Sequence, residues 1–260
     1  MATDSRGRSA KSISCSMVSV PVASATCLVT RSTAMMGSDI DLSSAPRRVF
    51  LAHCSAAAWL GLAAGQAAAA ALGPKPRLLV LGDSLSAEYG LARGTGWVAL
   101  LERRLAQQSM AWQVVNASIS GETTAGGRSR LPALLKQHLP RVVIIELGGN
   151  DALRGLPLAV TQANLSEMVR LAKAAHARVL VAGITVPPNY GRAYGEGLLA
   201  LFGSVAKSEG TALVPFLLSG VADAPNADDL FQADRIHPKA EAQARMLDNV
   251  WPALQPLLRP

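Results

Sequence analysis

Four short polar segments of this chain carry residues whose types and spacing suit nucleophilic catalysis. GDSLS includes Ser84, SISGETT includes Gly121, GGND includes Asn150, and DRIHP includes Asp234 and His237. A serine hydroxyl is a weak nucleophile unless a base accepts its proton, and histidine has the pKa that suits this task at neutral pH. The segments therefore predict acyl-transfer chemistry at Ser84, although each of them alone is also typical of a turn or a helix cap.

Three histidines follow residue 72, and one of them suits the role of base. His138 and His176 each lie at the end of a predicted helix, where the helix dipole favours a surface histidine. His237 instead has Asp234 three residues before it, and a carboxylate so placed orients the imidazole and stabilises its charged form. By elimination we predict His237 as the base and Asp234 as its orienting acid.

The oxyanion that forms during acyl transfer needs hydrogen-bond donors that are already aimed at it. The backbone N–H groups of Ser84 and Gly121 are predicted donors, because a glycine lets the backbone approach a substrate closely. The side-chain amide of Asn150 is the third predicted donor. Together these groups form a predicted oxyanion hole.

From Arg77 onward, short apolar runs alternate with longer segments of helical spacing. Continuous apolar strands that alternate with helices are typical of a parallel sheet covered on both faces, and ligands of such sheets bind beyond the carboxyl ends of the strands. The sequence thus predicts one α/β domain, with strands at 77–81, 112–116, 141–147, 178–184 and 211–215, and helices at 97–108, 130–138, 157–175, 194–209 and 239–258.

The four segments occur in the order of the sequence blocks of the GDSL or SGNH hydrolases, which this chain resembles over residues 77–258. The resemblance implies a flavodoxin-like three-layer α/β/α sandwich with a five-stranded parallel sheet. It also implies that Ser84 is the nucleophile, that Gly121 and Asn150 complete the oxyanion hole, and that Asp234 and His237 supply the orienting acid and the base.

Longer segments, among them ELGGNDALRGLP and VPPNYGRAY, are similar to the bacterial periplasmic group of thioesterase I, lysophospholipase and arylesterase enzymes. The similarity implies hydrolysis of thioesters, aryl esters and lysophospholipids at an apolar acyl groove, with no metal and no other cofactor. Glu88 and Arg235 depart from this pattern, because close relatives often carry glycine there. We expect both to alter the rim of the groove or its charge.

Apolar residues near the predicted site are candidates for the wall of the acyl groove. Leu153, Leu156 and Pro157 directly follow GGND, and we expect Ile119 and Tyr190 to line the same side. Apolar residues in loops beside a site often line it. The alternatives are that Leu156 only packs at the start of a helix and that Ile119 belongs to the core.

The first 71 residues differ in composition from the rest. Residues 1–46 are rich in serine, alanine and threonine, and Arg47 and Arg48 then precede an apolar segment that ends in an alanine run. This order is typical of a Sec or twin-arginine export signal. We predict an N-terminal extension at 1–46, a signal peptide at 47–71 and a hydrolase domain at 72–260, located in the periplasm or secreted.

Other interpretations of this region stay open. The apolar segment Val49–Leu72 is long enough for an uncleaved membrane anchor, although His53, Gln66 and the many alanines make it weakly apolar. An organelle transit peptide is also compatible with a segment that is rich in serine and arginine and poor in acidic residues. The extension is explained most simply by a true start at Met35 or Met36.

Composition excludes several classes of protein. Half of the 260 residues are hydrophobic and 17% are charged, which is unlike a disordered chain. The net charge is +7, but six of the 25 basic and three of the 18 acidic residues precede residue 72, and no basic cluster for nucleic acid follows. All three cysteines, Cys15, Cys27 and Cys54, also precede residue 72, so the predicted domain has no disulfide and no thiolate site.

The four segments argue against one other class of hydrolase and leave two alternative functions. An α/β-hydrolase requires G-x-S-x-G, and here the fifth position is Ser86. A carbohydrate or peptidoglycan O-acetylesterase with a smaller acyl pocket remains an alternative, as does a non-catalytic binding module on the same fold. The expected partner is a small acyl ester or thioester, and we expect a monomer without a membrane span after cleavage.

Overall fold

The computed structural model describes residues 75–259, with the side chain of Pro188 left aside, so the predicted extension and signal peptide lie outside the described residues. The strands are β1 Arg77–Gly82, β2 Gln113–Asn116, β3 Val142–Glu146, β4 Arg178–Ala182 and β5 Ala212–Val214. The helices are α1 Trp97–Gln107, α2 Thr124–His138, α3 Gly149–Leu153, α4 Leu158–Ala174, α5 Arg192–Glu209, α6 Ala227–Leu230 and α7 Gln243–Leu254, and short 3-10 segments lie at Pro188–Tyr190, Ala240–Ala242 and Gln255–Leu258.

The five strands form one parallel sheet in the order β2-β1-β3-β4-β5. Leu79 of β1 lies opposite Val115 of β2 on one side and Val143 of β3 on the other. Every residue of β3 is buried, as a strand that is covered on both faces requires. The predicted α/β class and five-stranded parallel sheet are therefore confirmed.

The helices form two groups, which cover the sheet. Helix α4 packs between α2 and α5, while α1 packs against α7. The core between these layers consists of aliphatic side chains with few aromatic ones, of which Trp97 and Phe202 are the largest that are fully buried. None of the described helices combines the length and the apolar character that crossing a membrane requires.

Some element boundaries differ from the prediction. Helix α2 begins at Thr124, six residues before its predicted start. The prediction missed this beginning because Gly126 and Gly127 weaken the helical pattern there. The side chain of Thr123 caps this helix by accepting a hydrogen bond from the backbone N–H of Gly126 at 3.3 Å. Helices α3 and α6 were not predicted, because five and four residues are too few to show a helical period.

Candidate active site

Ser84 lies in a tight turn that directly follows β1. The carbonyl of Asp83 accepts hydrogen bonds from the backbone N–H groups of Ser86 and Ala87, and its side chain accepts one from Leu85. Gly82 allows this turn to approach β3, since a Cβ atom on Gly82 would lie 2.7 Å from a Glu146 carboxylate oxygen. The turn therefore holds the half-buried Ser84 at the carboxyl edge of the sheet.

The loop that precedes the 3-10 segment Ala240–Ala242 and α7 brings His237 and Asp234 to the same edge. The Nε2 atom of His237 lies 2.8 Å from Ser84 Oγ, and its Nδ1 atom lies 2.6 Å from Asp234 Oδ2. The other carboxylate oxygen of Asp234 accepts hydrogen bonds from the backbone N–H groups of Ile236 and His237, both at 3.0 Å. Hydrogen bonds thus link three side chains from two distant parts of the chain in one continuous series.

These contacts also control the charge of Asp234. Partial burial raises the pKa of this carboxyl, but the hydrogen bonds from the ring and backbone of His237 and from the backbone of Ile236 outweigh burial. The pKa of Asp234 is therefore lower than usual, and the carboxylate stays ionised beside the imidazole at neutral pH. An ionised partner at Nδ1 favours the tautomer whose Nε2 can accept a proton from Ser84.

Three candidate donors lie around Ser84. Gly121 follows β2 with a φ of +80°, a conformation that favours glycine, and its backbone N–H and that of Ser84 donate no hydrogen bond to another described residue. Asn150 lies in the first turn of α3, and its side-chain amide donates one hydrogen bond to Asp83 Oδ2 at 3.0 Å. One hydrogen of that amide remains available for a substrate.

A buried pair of carboxyl groups supports the turn from beneath. Glu146, the last residue of β3, accepts hydrogen bonds from Ser86 Oγ at 2.7 Å and from the backbone N–H of Asp83 at 3.3 Å. Burial, and then the nearby Asp83 carboxylate, raise the pKa of Glu146 well above its usual value. Burial likewise raises the pKa of Asp83 to about 6, although hydrogen bonds from Leu85 and Asn150 oppose this.

A second buried carboxylate ties the Gly121 loop to the Asn150 helix. Asp151 accepts hydrogen bonds from the backbone N–H and the hydroxyl of Thr124, at 2.8 and 2.5 Å. Arg154 joins the same two segments at the surface by donating a hydrogen bond to the Gly121 carbonyl at 2.9 Å. These ties set the separation between two of the candidate oxyanion donors.

A cavity of about 850 Å³ opens beside Ser84. It extends over the carboxyl ends of β3, β4 and β5, and most of its walls are apolar. Leu153 and Tyr190 are among its lining residues, as the sequence predicted for the acyl groove. The side chains that line it also include Ile184, Val186, Phe216, Leu218, Phe231 and Ile236.

Three other residues that were predicted for the groove lie elsewhere among the described residues. Leu156 does not line the cavity, and its carbonyl accepts a hydrogen bond from the hydroxyl of Tyr194 at 3.0 Å. Pro157 is exposed at the start of α4. Ile119 follows β2, on the opposite side of β1 from the cavity, and is 48% exposed. Ile119 therefore belongs neither to the groove nor to the core.

Sequence reasoning did not identify three residues that shape this site. Glu146 had a visible signal, because a charged residue in the apolar run RVVIIEL is unusual. Tyr89, whose ring contacts that of His237, and Gln232, which joins their loops, had no comparable signal. Among residues 75–259, no group of three or more histidine, cysteine, aspartate or glutamate side chains is arranged to hold a metal ion.

The chain was compared with known proteins. It is 55% identical over 181 residues to esterase TesA of Pseudomonas aeruginosa, a match that covers 70% of this chain and 89% of that protein. It is 44% identical over 181 residues to thioesterase 1/protease 1/lysophospholipase L1 of Escherichia coli K12, covering 70% of this chain and 84% of that protein. The crystal structure of TesA superposes with a TM-score of 0.67 and 54% identity, covering 70% of this chain and 99% of the other.

A family model described as the GDSL-like lipase/acylhydrolase family matches residues 80–245. The matched region contains Ser84, Gly121, Asn150, Asp234 and His237, together with all of the sheet except the first residues of β1. The family-model match, together with the similarity to esterase TesA and thioesterase 1 over most of the length of those two proteins, assigns the chain to the GDSL-like lipase/acylhydrolase family.

Proposed function

We propose that this hydrolase of ester bonds acts on carboxylic esters and thioesters of medium and long acyl chains, through an acyl-enzyme on Ser84. The proposal rests on the hydrogen bonds that join Asp234 to His237 and His237 to Ser84. Ser84, the last residue of this series, lies at the mouth of an apolar cavity. The names of the relatives, an esterase and a thioesterase and lysophospholipase, support the same substrate classes.

The reaction begins when Ser84 Oγ attacks the carbonyl carbon of the substrate. His237 Nε2 accepts the hydroxyl proton, and the carbonyl oxygen becomes an oxyanion. The bond to the leaving oxygen or sulfur then breaks, and the imidazolium gives its proton to that atom. In the second half, His237 takes a proton from water as the water attacks the acyl-enzyme, and Ser84 Oγ recovers that proton as the acid product leaves.

The oxyanion receives its hydrogen bonds from the N–H groups of Ser84 and Gly121 and from the side chain of Asn150. Donors of this kind contribute most when they are held in place before the charge forms, and the loss of one typically costs about 10²–10³ in turnover. Asp83 supports such an arrangement, since its carboxylate accepts one hydrogen of the Asn150 amide and so orients the other.

The acyl chain occupies the cavity that extends from Ser84 toward β5. Its apolar walls favour burial of a hydrocarbon chain, with about 0.8 kcal/mol for each CH₂ group removed from water. A volume of about 850 Å³ is much larger than an acetyl group needs. This supports medium and long chains over the alternative of an O-acetylesterase.

We further propose that the chain is exported to the periplasm or secreted through the signal at residues 47–71.

Neither a metal nor another cofactor has a step in this mechanism. The proposed substrate is a small molecule, and the protein acts as a monomer.

The experiment measures kcat/KM of the purified protein on a series of p-nitrophenyl esters and acyl thioesters of increasing chain length. We expect kcat/KM to rise from acetyl to medium chains, because the cavity buries each added CH₂ group. Ser84→Ala and His237→Ala are expected to lower turnover about 10⁴–10⁶-fold, since members of a triad act as one unit.

The controls of this experiment separate the steps of the proposal. Circular dichroism of both variants shows whether they fold. Activity that is confined to acetyl esters but still depends on Ser84 would redirect the proposal to a deacetylase. Near-normal activity of folded Ser84→Ala would reject this serine as the nucleophile, and no activity on any substrate would favour the binding module.

A further inference from the structure

Tyr89 contacts the imidazole of His237 at the mouth of the site. The centroids of the two rings are 4.3 Å apart, and their planes are tilted by 39°. Tyr89 is nevertheless 50% exposed. One part of the ring therefore supports the imidazole, and the rest forms an accessible surface next to it.

The position of Tyr89 is held by contacts on both sides. Glu88 has a φ of +60°, and its carboxylate accepts hydrogen bonds from the backbone N–H groups of Gly94 and Gly96 at 2.9 and 2.8 Å. On the other side, the Gln232 side chain donates to the Tyr89 carbonyl at 2.9 Å, and the Gln232 backbone N–H donates to the His237 carbonyl at 2.8 Å. The backbone at Tyr89 is thus held in place by the segments on both sides of it.

Tyr89 lies outside the acyl cavity. The described residues that line the cavity come from the ends of β1, β3, β4 and β5 and from the His237 loop, and they include neither Tyr89 nor Ile119. The half-exposed ring of Tyr89 therefore lies next to His237 but outside the cavity.

The mechanism determines what must bind next to the imidazole. His237 Nε2 gives its proton to the leaving atom, so that atom must lie within hydrogen-bond distance of the ring. If the acyl chain fills the cavity, the remaining substituent of the tetrahedral carbon is directed to the opposite side. The exposed part of Tyr89, which contacts the imidazole and does not line the cavity, is available to that substituent.

We propose that Tyr89 forms a leaving-group subsite that selects flat aromatic and other apolar leaving groups; this rests on the proposed function of the same site. Offset stacking on a tyrosine ring suits an aromatic alcohol better than a methyl group or a phosphorylated headgroup. By microscopic reversibility, the same surface binds an aromatic alcohol that replaces water as the acceptor. His237 then takes the proton of that alcohol, its oxygen forms the new ester bond, and the proton returns to Ser84 as the acyl–serine bond breaks.

The test compares phenyl and methyl esters of one medium-chain acid with wild type, Tyr89→Phe and Tyr89→Ala. We expect Tyr89→Ala to lower the phenyl-to-methyl ratio of kcat/KM about three- to tenfold, whereas Tyr89→Phe retains the ratio because it keeps the ring. The difference in chemical reactivity between the two esters cancels when variants are compared. With benzyl alcohol added, Tyr89→Ala is also expected to form less benzyl ester relative to free acid.

Tyr190→Ala is the matched control, because this tyrosine is also exposed but lines the acyl cavity. It is expected to change the dependence on acyl chain length and to leave the phenyl-to-methyl ratio unchanged. An equal loss on both esters in Tyr89→Ala would overturn the proposal, since it would mean that Tyr89 only supports the imidazole. A change in chain-length dependence with an unchanged ratio would overturn it too, because the acyl chain would then lie on Tyr89. A wild-type protein that hydrolyses no ester would instead refute the proposed function.

Discussion

At the scale of single residues, the site combines two kinds of carboxyl group with opposite electrostatics. Asp234 is partly exposed, accepts three hydrogen bonds and has a lowered pKa, so it remains charged beside His237. Glu146 is completely buried and has a raised pKa, and one of its oxygens lacks a hydrogen-bond partner within the described structure. The first carboxyl group serves the base, whereas the second supports the Ser84 turn from a buried position.

The buried Glu146 is expected to make the free energy of unfolding depend on pH, and Glu146→Gln tests this. A carboxyl whose pKa is raised by folding stabilises the protein fully below its unfolded value of 4.5, and this contribution is lost as the pH rises toward the folded value. Gln cannot ionise, so the free energy of unfolding of Glu146→Gln relative to wild type is expected to increase as the pH rises above 4.5. Urea titrations across this pH range measure the slope.

The control for that measurement is Glu167→Gln, which changes an exposed carboxylate on α4. Its free energy of unfolding relative to wild type is expected to vary little with pH. An offset that is the same at every pH and adds to the expected rise is compatible with the interpretation, because a buried amide also lacks a partner there. A difference that stays flat or decreases with pH would contradict it.

At the scale of elements, close packing of α2 against the sheet explains how Gly121 and Asn150 come together. Gly127 in the second turn of α2 faces β3 so closely that a Cβ atom would lie 2.3 Å from Leu147 Cδ1. The same end of α2 supplies Thr124, whose hydrogen bonds to Asp151 tie it to α3. The absence of a side chain at residue 127 therefore allows the oxyanion donors to approach each other.

Alanine substitutions at two helical glycines test this packing. Gly127→Ala is expected to lower the free energy of unfolding by about 1–3 kcal/mol, because the fully buried Leu147 has little room to move. Gly203 in α5 has no atom within 4 Å of its would-be Cβ, so Gly203→Ala is expected to raise the free energy of unfolding by about 0.5–1 kcal/mol. Urea denaturation measures both, and a similar change in the two variants would show that the contact with Leu147 is unimportant.

The sequence was most informative where elements are long and apolar. The strands and the longer helices follow from hydrophobic period, and the order of four motifs is enough to name Ser84, Asn150 and His237 as candidates. The start of α2 could not be predicted, because glycines that serve tertiary packing resemble a loop. The groove residues were the least predictable, since the side of Ser84 on which Ile119 lies depends on the strand order β2-β1-β3.

At the scale of the whole molecule, the chain divides at about residue 72 into two parts of different composition. The later part carries 19 basic and 15 acidic residues and no cysteine, whereas the earlier part holds all three cysteines and the Arg47–Arg48 pair. The match to esterase TesA extends over 181 residues, which is close to the length of the later part alone. Removal of the earlier part remains a prediction of the sequence.

Amino-terminal sequencing of the protein recovered from the cell envelope tests this division. We expect a mature start near residues 70–72, because the alanine run offers small residues at the positions that a signal peptidase requires. An Arg47→Lys, Arg48→Lys double variant separates the two export routes, since only the twin-arginine route requires both arginines. A mature protein that still carries an intact Arg47–Arg48 segment would contradict cleavage.

The two ends of the described domain both lie where the strands of the sheet begin, opposite to the strand ends that carry Ser84. Arg77 begins β1 about 20 Å from the turn that holds Ser84, given six residues of strand. The guanidinium of Arg178, which begins β4, donates a hydrogen bond to the carbonyl of Arg259. A carrier protein, a surface tether or a resin attached at either end is therefore held on the face remote from the cavity mouth. Immobilised in this way, the enzyme would present its mouth to the bulk solution, and bulky or micellar substrates would retain access.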